Sequence, residues 1–427
     1  MSKPKFTDYD MRKDFEFHVY VTDKLSVFTN SKIKYVDPAT SVSGVLKKSG
    51  DFISLEVAKI FKKTGAEEKL YETDNDVVQN EKDLNVLYAS TWDGRIHFII
   101  NKYTIIHSET YFGANTVSYD GTSTYSVTDV SLVSQFLLPN GVNQATLYLD
   151  YIHEWFSMYR PSIDTVNEEN QSLSYENLKF RNSEFSLNVN GVRKKNSDSR
   201  KMTIYLDSII VLRFQSSQDR RVIFDLGTQL RNLFQMMLKR PIGLHKIILN
   251  RNNNSESCHL DERENWCLLQ SFLPEKPMKY SRNFEIEFAN IENAFQNILI
   301  NYLESTRLQE FVSKFLIINQ YMVPVETILL TLSSGVESYF KDAKFSNGKP
   351  VNDLTNKLNM IFNSSWNEQD ETKNIIKKIK DNRDYYIHGS KADKRLNEEE
   401  LIPVVLEFKE KVRKYLIKEI IDVSSIK

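Results

Sequence analysis

Residues 383 to 389 read Arg383-Asp384-Tyr385-Tyr386-Ile387-His388-Gly389. A guanidinium holds a phosphate in a planar two-point grip. An imidazole moves protons near neutral pH. Cleaving RNA without a metal needs both abilities. A base takes the proton of the ribose 2′-hydroxyl, a phosphorane with added negative charge forms, and an acid protonates the departing 5′-oxygen. In that chemistry His388 is the base or the acid and Arg383 binds the non-bridging oxygens. Asp384 orients one of them by accepting a hydrogen bond.

Spacing complicates the pair. Residues five apart on an ideal helix lie about 140° apart around its axis, so the two side chains do not share a face. A helix end or a bend near Gly389 could bring them together. Alternatively, two copies of the site could meet across a twofold axis, each filling the other's gap. Tyr385 and Tyr386 flank the pair, and either could stack on a base. Between Glu371 and Arg395 stand eight basic and four acidic residues, in a chain whose formal net charge is −1. Lys377, Lys378, Lys380 and Lys391 are the expected phosphate contacts, with an affinity that falls as salt rises. The plainer alternative is a solvated lysine-rich helix face carrying an arginine and a histidine by chance.

The elements that must position these groups change character along the chain. Up to about residue 280 the pattern is strand-like. Ser49-Gly50-Asp51, Asp93-Gly94, Asp120-Gly121, Asn140-Gly141 and Asn190-Gly191 are turn signals between short apolar runs, which suggests a sandwich or a partly open barrel. Asp150–Tyr159, with Trp155 and Phe156, separates a first lobe from a second. One helix interrupts the second lobe: Leu226, Leu230, Leu233, Phe234, Met237 and Leu238 form an apolar stripe, and Arg240-Pro241-Ile242-Gly243 stops it. Asn250–Glu256 is polar and reads as a loop.

Near Phe284 the period lengthens to about 3.6. Ile291, Phe295, Ile298, Leu299, Tyr302 and Leu303 share a face, and Phe311, Phe315, Leu316 and Ile318 continue the pattern. Pro324 suits the first turn of a helix over Val325–Phe340. Leu354–Phe362 and Glu371–Lys380 are shorter helices. Asn397 and three glutamates cap a last one, running to about Ile421 with Pro403 as a kink or start. The expected class is α+β: a β-rich, sandwich-like N-terminal region followed by an all-α helical bundle. The expected divisions are 1–160, 161–280 and 281–427, with Pro274, Pro277 and Ser281 near the last boundary.

Apolar residues make up 41% and charged residues 26%, the balance of a globular protein. Two cysteines, Cys258 and Cys267, are too few for a disulfide framework and fit a reducing compartment. The first residues lack a signal-peptide core, and no apolar run approaches a membrane span, so a cytoplasmic protein away from membranes is expected. His153-Glu154 begins like a zinc-protease motif, but Ser157 stands where the second histidine belongs. Cys258, His259 and Cys267 are too few and too irregular for structural zinc. There is no GxxxxGK[ST], GxSxG or GxGxxG, and no cofactor or metal is expected. His18, His97, His107 and His245 are expected in or beside strands, without special chemistry.

The C-terminal region resembles a HEPN domain, a small helical bundle whose nuclease members carry Arg, a polar residue, a few further positions and then His. Arg383, Asp384 and His388 match that motif. Ser333–Phe340 resembles the family's second helix, with its acid at Glu337; the choice for Glu337 lies between supporting the site and a surface salt bridge. The N-terminal strands are similar to the partner domain of ApeA-type anti-phage proteins, with Gly44–Phe61 as its opening hairpin and Asp150–Phe156 as its tryptophan-bearing segment. The resemblance implies a metal-independent endoribonuclease acting on cellular RNA, often tRNA loops. It implies a homodimer through the HEPN domain with a composite site. It also implies a defence role that halts growth of an infected bacterium, with a phage-derived trigger sensed, or the nuclease restrained, by the N-terminal region. The alternatives are a non-catalytic HEPN module that binds RNA or protein beside a ligand-sensing β region, and a carbohydrate-binding sandwich with a helical oligomerisation tail.

Overall fold

The computed structural model describes residues 5–27, 34–58, 61, 86–111, 120–136, 141–156, 172–197, 202–250, 263–270, 273–274, 284–345, 347–362, 369–390 and 392–421. Its β-rich part begins with β1 (Phe15–Thr22), a minor pair β2 (Ser26–Val27) and β3 (Lys34–Tyr35), then β4 (Val42–Ser49), β5 (Phe52–Val57), β6 (Leu87–Thr91), β7 (His97–Tyr111) and β8 (Asp120–Val133). β1 pairs with β4 and β6, β4 with β5, and β6 with β7. β8 then receives both β5 and β7, so the six strands close on themselves. Closure removes the exposed edges that an open sheet would present. Val19, Leu46, Leu55, Phe98, Tyr125 and Val127, from these strands, belong to one buried cluster.

The last residues of β8 stay bonded to β7 on one side and on the other pair with a second set of strands. These are β9 (Val142–Leu149), β10 (Ser172–Phe180), β11 (Ser183–Ser197), β12 (Met202–Gln218), β13 (Leu244–Asn250) and β14 (Arg263–Leu268). They extend the sheet in the order β14-β13-β9-β12-β11-β10. The β-rich region is thus a barrel-like sheet with an open extension. The described helices of this region are the short α1 (Ile152–Phe156) and the long α2 (Arg220–Leu238). The apolar stripe of α2 is buried as its spacing predicts, and Lys239 ends the helix in the left-handed conformation at φ 54°.

Two turn signals hold: Gly50 (φ 56°) and Gly94 (φ 67°) adopt the conformation that favours glycine, between paired strands. Two fail. Asp120-Gly121 starts β8, and Asn190-Gly191 lies inside β11, where Gly191 pairs with Ser208. β11 is bonded to β10 on one side and β12 on the other, and two ladders outweigh a local turn preference. The chain turns instead at Arg181, φ 54°. Asn140 and the polar stretch 251–256 lie outside the described residues.

The helical region contains α3 (Phe288–Ile291), α4 (Phe295–Glu304), α5 (Thr306–Gln320), α6 (Val325–Tyr339), α7 (Leu354–Phe362), α8 (Gln369–His388) and α9 (Glu398–Ile421). α6 is central, packing against α5, α7, α8 and α9. α9 starts on a capping box: the Glu400 amide donates to Asn397 Oδ1 (2.9 Å) and the Asn397 amide to Glu400 Oε2 (3.2 Å). Pro403 falls inside this helix. α8 corrects the expectation of a short helix at Glu371–Lys380, because it continues to His388 and takes the whole Arg-to-His motif into its last turns.

The two regions share one buried core. Trp155 joins them, 2% exposed, with edge-to-face contacts to Phe234 of α2 (5.4 Å), Phe288 of α3 (5.3 Å) and Phe295 of α4 (5.5 Å). Its indole N–H donates to the Ile286 carbonyl at 2.7 Å. Nearby, Arg12 forms a bidentate pair with buried Asp150 (2.7 and 2.8 Å), which also accepts the Gly243 amide. The expected boundary residues Pro277 and Ser281 lie outside the described residues.

Candidate active site

Arg383 lies on α8 and turns toward α6. Its Nη2 donates to both carboxylate oxygens of Glu337, at 2.7 and 2.9 Å, and its Nη1 reaches Asp384 Oδ1 at 3.3 Å. The arginine side chain is 17% exposed and Glu337 35%. The guanidinium is therefore oriented by two carboxylates, on a side chain that is not fully buried. Its Nε is buried without a hydrogen-bond partner. Lys357 of α7, itself buried, donates from Nζ to the Glu337 carbonyl at 3.2 Å, tying a third helix to the same point.

His388 is the last residue of α8 and is exposed. Among the described residues its ring makes no hydrogen bond or ion pair. Gly389 follows at φ 64° and donates its amide to the Tyr385 carbonyl at 2.8 Å, an αL cap that ends the helix. The helix is unbroken from Arg383 to His388, so no bend removes the angular separation set by their spacing. Within one chain, Arg383 is held against α6 while His388 stands at the helix end. Any non-glycine residue at 389 must adopt the left-handed conformation. Gly389→Ala is expected to cost about 1 kcal/mol, measured by urea denaturation, and to fray the turn that carries His388.

Sequence reading missed Asn382, which is fully buried. Its Nδ2 donates to the Lys378 carbonyl and its Oδ1 accepts the Leu396 amide, both at 2.9 Å. It thereby pins the chain after the loop back onto α8. Its only signal is an asparagine late in a helix, a place where that residue needs a hydrogen-bonding reason.

Two family models match the chain. ApeA N-terminal domain 1 covers residues 32–302, well over half of it, and an Apea-like HEPN domain covers residues 279–421. The chain belongs to the ApeA family. No curated protein and no solved structure matches it. In this ApeA protein the two family regions overlap at α3 and α4, where Phe288 and Phe295 meet Trp155.

The remaining expected residues of the HEPN domain are spread around α8. Tyr385 and Tyr386 touch edge to face at 5.2 Å, with the Arg395 guanidinium 5.0 Å from the centre of the Tyr385 ring. Arg395 also donates to the Tyr385 hydroxyl at 3.2 Å. Lys377 is exposed and Lys378 half-buried. Lys380 pairs with Asp353 at 2.7 Å, and Lys391 lies outside the described residues. No group of metal-ligating side chains occurs among the described residues. Cys267 is buried in β14, and desolvation pushes its thiol up to about 12, while Cys258 and His259 lie outside the described residues. His153 shares a hydrogen bond with Ser208 at 3.2 Å. His18, His97, His107 and His245 all lie in strands. No described helix is long and apolar enough to cross a membrane.

Proposed function

We propose that this chain is a metal-independent endoribonuclease effector of bacterial anti-phage defence, cleaving cellular RNA such as tRNA by attack of the 2′-hydroxyl. The observation that carries this reading is the partly exposed Arg383 side chain, its guanidinium held by Glu337 and Asp384, on the same helix that presents an unengaged His388 ring at its end. The guanidinium would stabilise the phosphorane and His388 would move the proton. Because the two groups diverge within one chain, the reading requires a homodimer through the HEPN domain, in which Arg383 of one copy and His388 of the other face one phosphate. Exposed Ile387, Ile402 and Leu406 on α8 and α9 suit such an interface. Lys377 and Lys378 would contact the RNA backbone, and Tyr385 or Tyr386 a base. The core shared through Trp155 supports a sensing or restraining role for the β-rich region, with a phage-derived trigger as its input.

Incubating the full-length protein with total tRNA in EDTA is expected to give fragments ending in 2′,3′-cyclic phosphate. Products that vanish in EDTA would sink the metal-free mechanism. Arg383 engaged by Glu337, with no contact to His388, favours one second reading: a non-catalytic module that binds RNA or a partner protein. RNA retention without cleavage, also in the presence of phage lysate, would favour that reading.

A further inference from the structure

Between α6 and α7 the chain folds back on itself in a small hairpin, described at residues 341–345 and 347–353. The Phe345 amide donates to the Lys349 carbonyl and the Val351 amide to the Ala343 carbonyl, both at 2.8 Å, and Lys344 bridges to Pro350. Gly348 takes φ 77° at the turn, where its amide donates to the Phe345 carbonyl at 2.8 Å. The base of the hairpin is fixed. Val351 is 1% exposed, and Asp353 accepts a hydrogen bond from Lys380 Nζ of α8 at 2.7 Å. The tip is uncovered: Phe345 is 43% exposed and stacks on no ring among the described residues.

Charge sets this hairpin apart. Lys341, Lys344 and Lys349 are exposed, and no described residue gives their ammonium groups a hydrogen bond or an ion pair. The two acids of the same stretch are already engaged, Asp342 with Arg307 of α5 and Asp353 with Lys380. Phe345 faces Lys349 across the hairpin, so ring and lysine share one side, and Lys344 takes the other. A lone exposed ring means little. This one stands among three unpaired cations, on an element tied to the site helix. Lys380 and Arg383 are three residues apart on α8, hence surface neighbours about 4.5 Å apart along the axis. α8 thus meets, in order, the hairpin at Lys380, the guanidinium at Arg383 and the imidazole at its end.

We propose that this hairpin is a separate RNA-binding element, in which Phe345 stacks on one unpaired base and Lys341, Lys344 and Lys349 hold the phosphates around it. Single-stranded nucleic acid offers both halves at once, a flat π-face and flanking negative charge. The hairpin meets α8 on the side of Arg383 opposite to His388, so it grips nucleotides beside the scissile linkage and not the linkage itself. The inference deepens the nuclease reading and rests on it for the choice of RNA as the polymer.

Full-length protein carrying His388→Ala, so that binding is read without cutting, is titrated by fluorescence anisotropy against a labelled single-stranded RNA and an RNA duplex. Adding Phe345→Ala is expected to weaken the single strand by roughly tenfold, the loss of one stacked base. Duplex affinity should change little, because paired bases are not free to stack. Lys344→Gln with Lys349→Gln is expected to weaken both RNAs and to lower the slope of affinity against salt by about one. The substituted side chains are exposed, so the variants should melt as the parent does. Should Phe345→Ala fail to fold, Phe345→Leu removes the flat ring at similar volume and is expected to weaken the single strand likewise. A parent that binds neither RNA overturns the proposal. So does single-strand affinity unchanged in the folded variants; if their sedimentation also shifts, the ring is a contact between copies instead. Wild-type protein that binds RNA through the hairpin yet never cuts it would sink the nuclease reading alone.

Discussion

Replacing His388 with alanine is expected to abolish RNA cleavage and leave the melting temperature unchanged. The loss should fall between about a hundredfold and ten-thousandfold, the range for removing a general acid or base. The stability half of this expectation follows from the structure, where the ring is exposed at the end of α8 and bonds to no described residue. Arg383→Ala should also stop cleavage, but it takes a partner from Glu337 and Asp384 and should cost about 1 kcal/mol as well. Cleavage rates beside urea denaturation curves for the two variants separate the roles. A His388→Ala protein that unfolds would make the histidine structural, and one that cuts normally would remove it from the reaction. Mixing the two inactive variants offers a sharper check. A composite site at a twofold axis regains one intact Arg383–His388 pair in the mixed dimer, so part of the activity should return.

The second large effect is expected far from that site. Trp155→Ala should destabilise the protein by about 3–5 kcal/mol, read from urea denaturation. The indole is 2% exposed and is enclosed by rings from α2, α3 and α4, so truncation leaves a cavity that rigid helices on both sides cannot fill. It also orphans the Ile286 carbonyl. Trp155→Phe keeps much of the packing but still loses the indole hydrogen bond, and should cost about 1–2 kcal/mol. A Trp155→Ala protein as stable as the parent would mean that the β-rich and helical regions do not depend on their common core.

Much of this protein was legible in its residues. Period carries the helices: Leu226 to Leu238, Phe295 to Leu303 and Leu354 to Phe362 are buried as their three-and-four spacing requires, because a single helix face must be covered. Local chemistry also carried the turns at Gly50 and Gly94 and the cap at Asn397, where a short stretch settles its own conformation. The Arg383 and His388 motif and the acid at Glu337 were visible as types and spacings. What the residues alone could not supply was everything that depends on a second element arriving from elsewhere. Asn190-Gly191 is a good turn signal that became mid-strand because β10 and β12 bond to both sides of β11. The motif's helix extends to His388 because Asn382 ties it to Leu396 and Gly389 caps it, neither of which the apolar pattern encodes. The ring closes through β7 and β8, a pairing set by register between long strands. Above all, the bond from Arg383 to Glu337 spans 46 residues of chain, and only the packing of α6 on α8 could decide that the guanidinium turns inward while the imidazole is left at the surface.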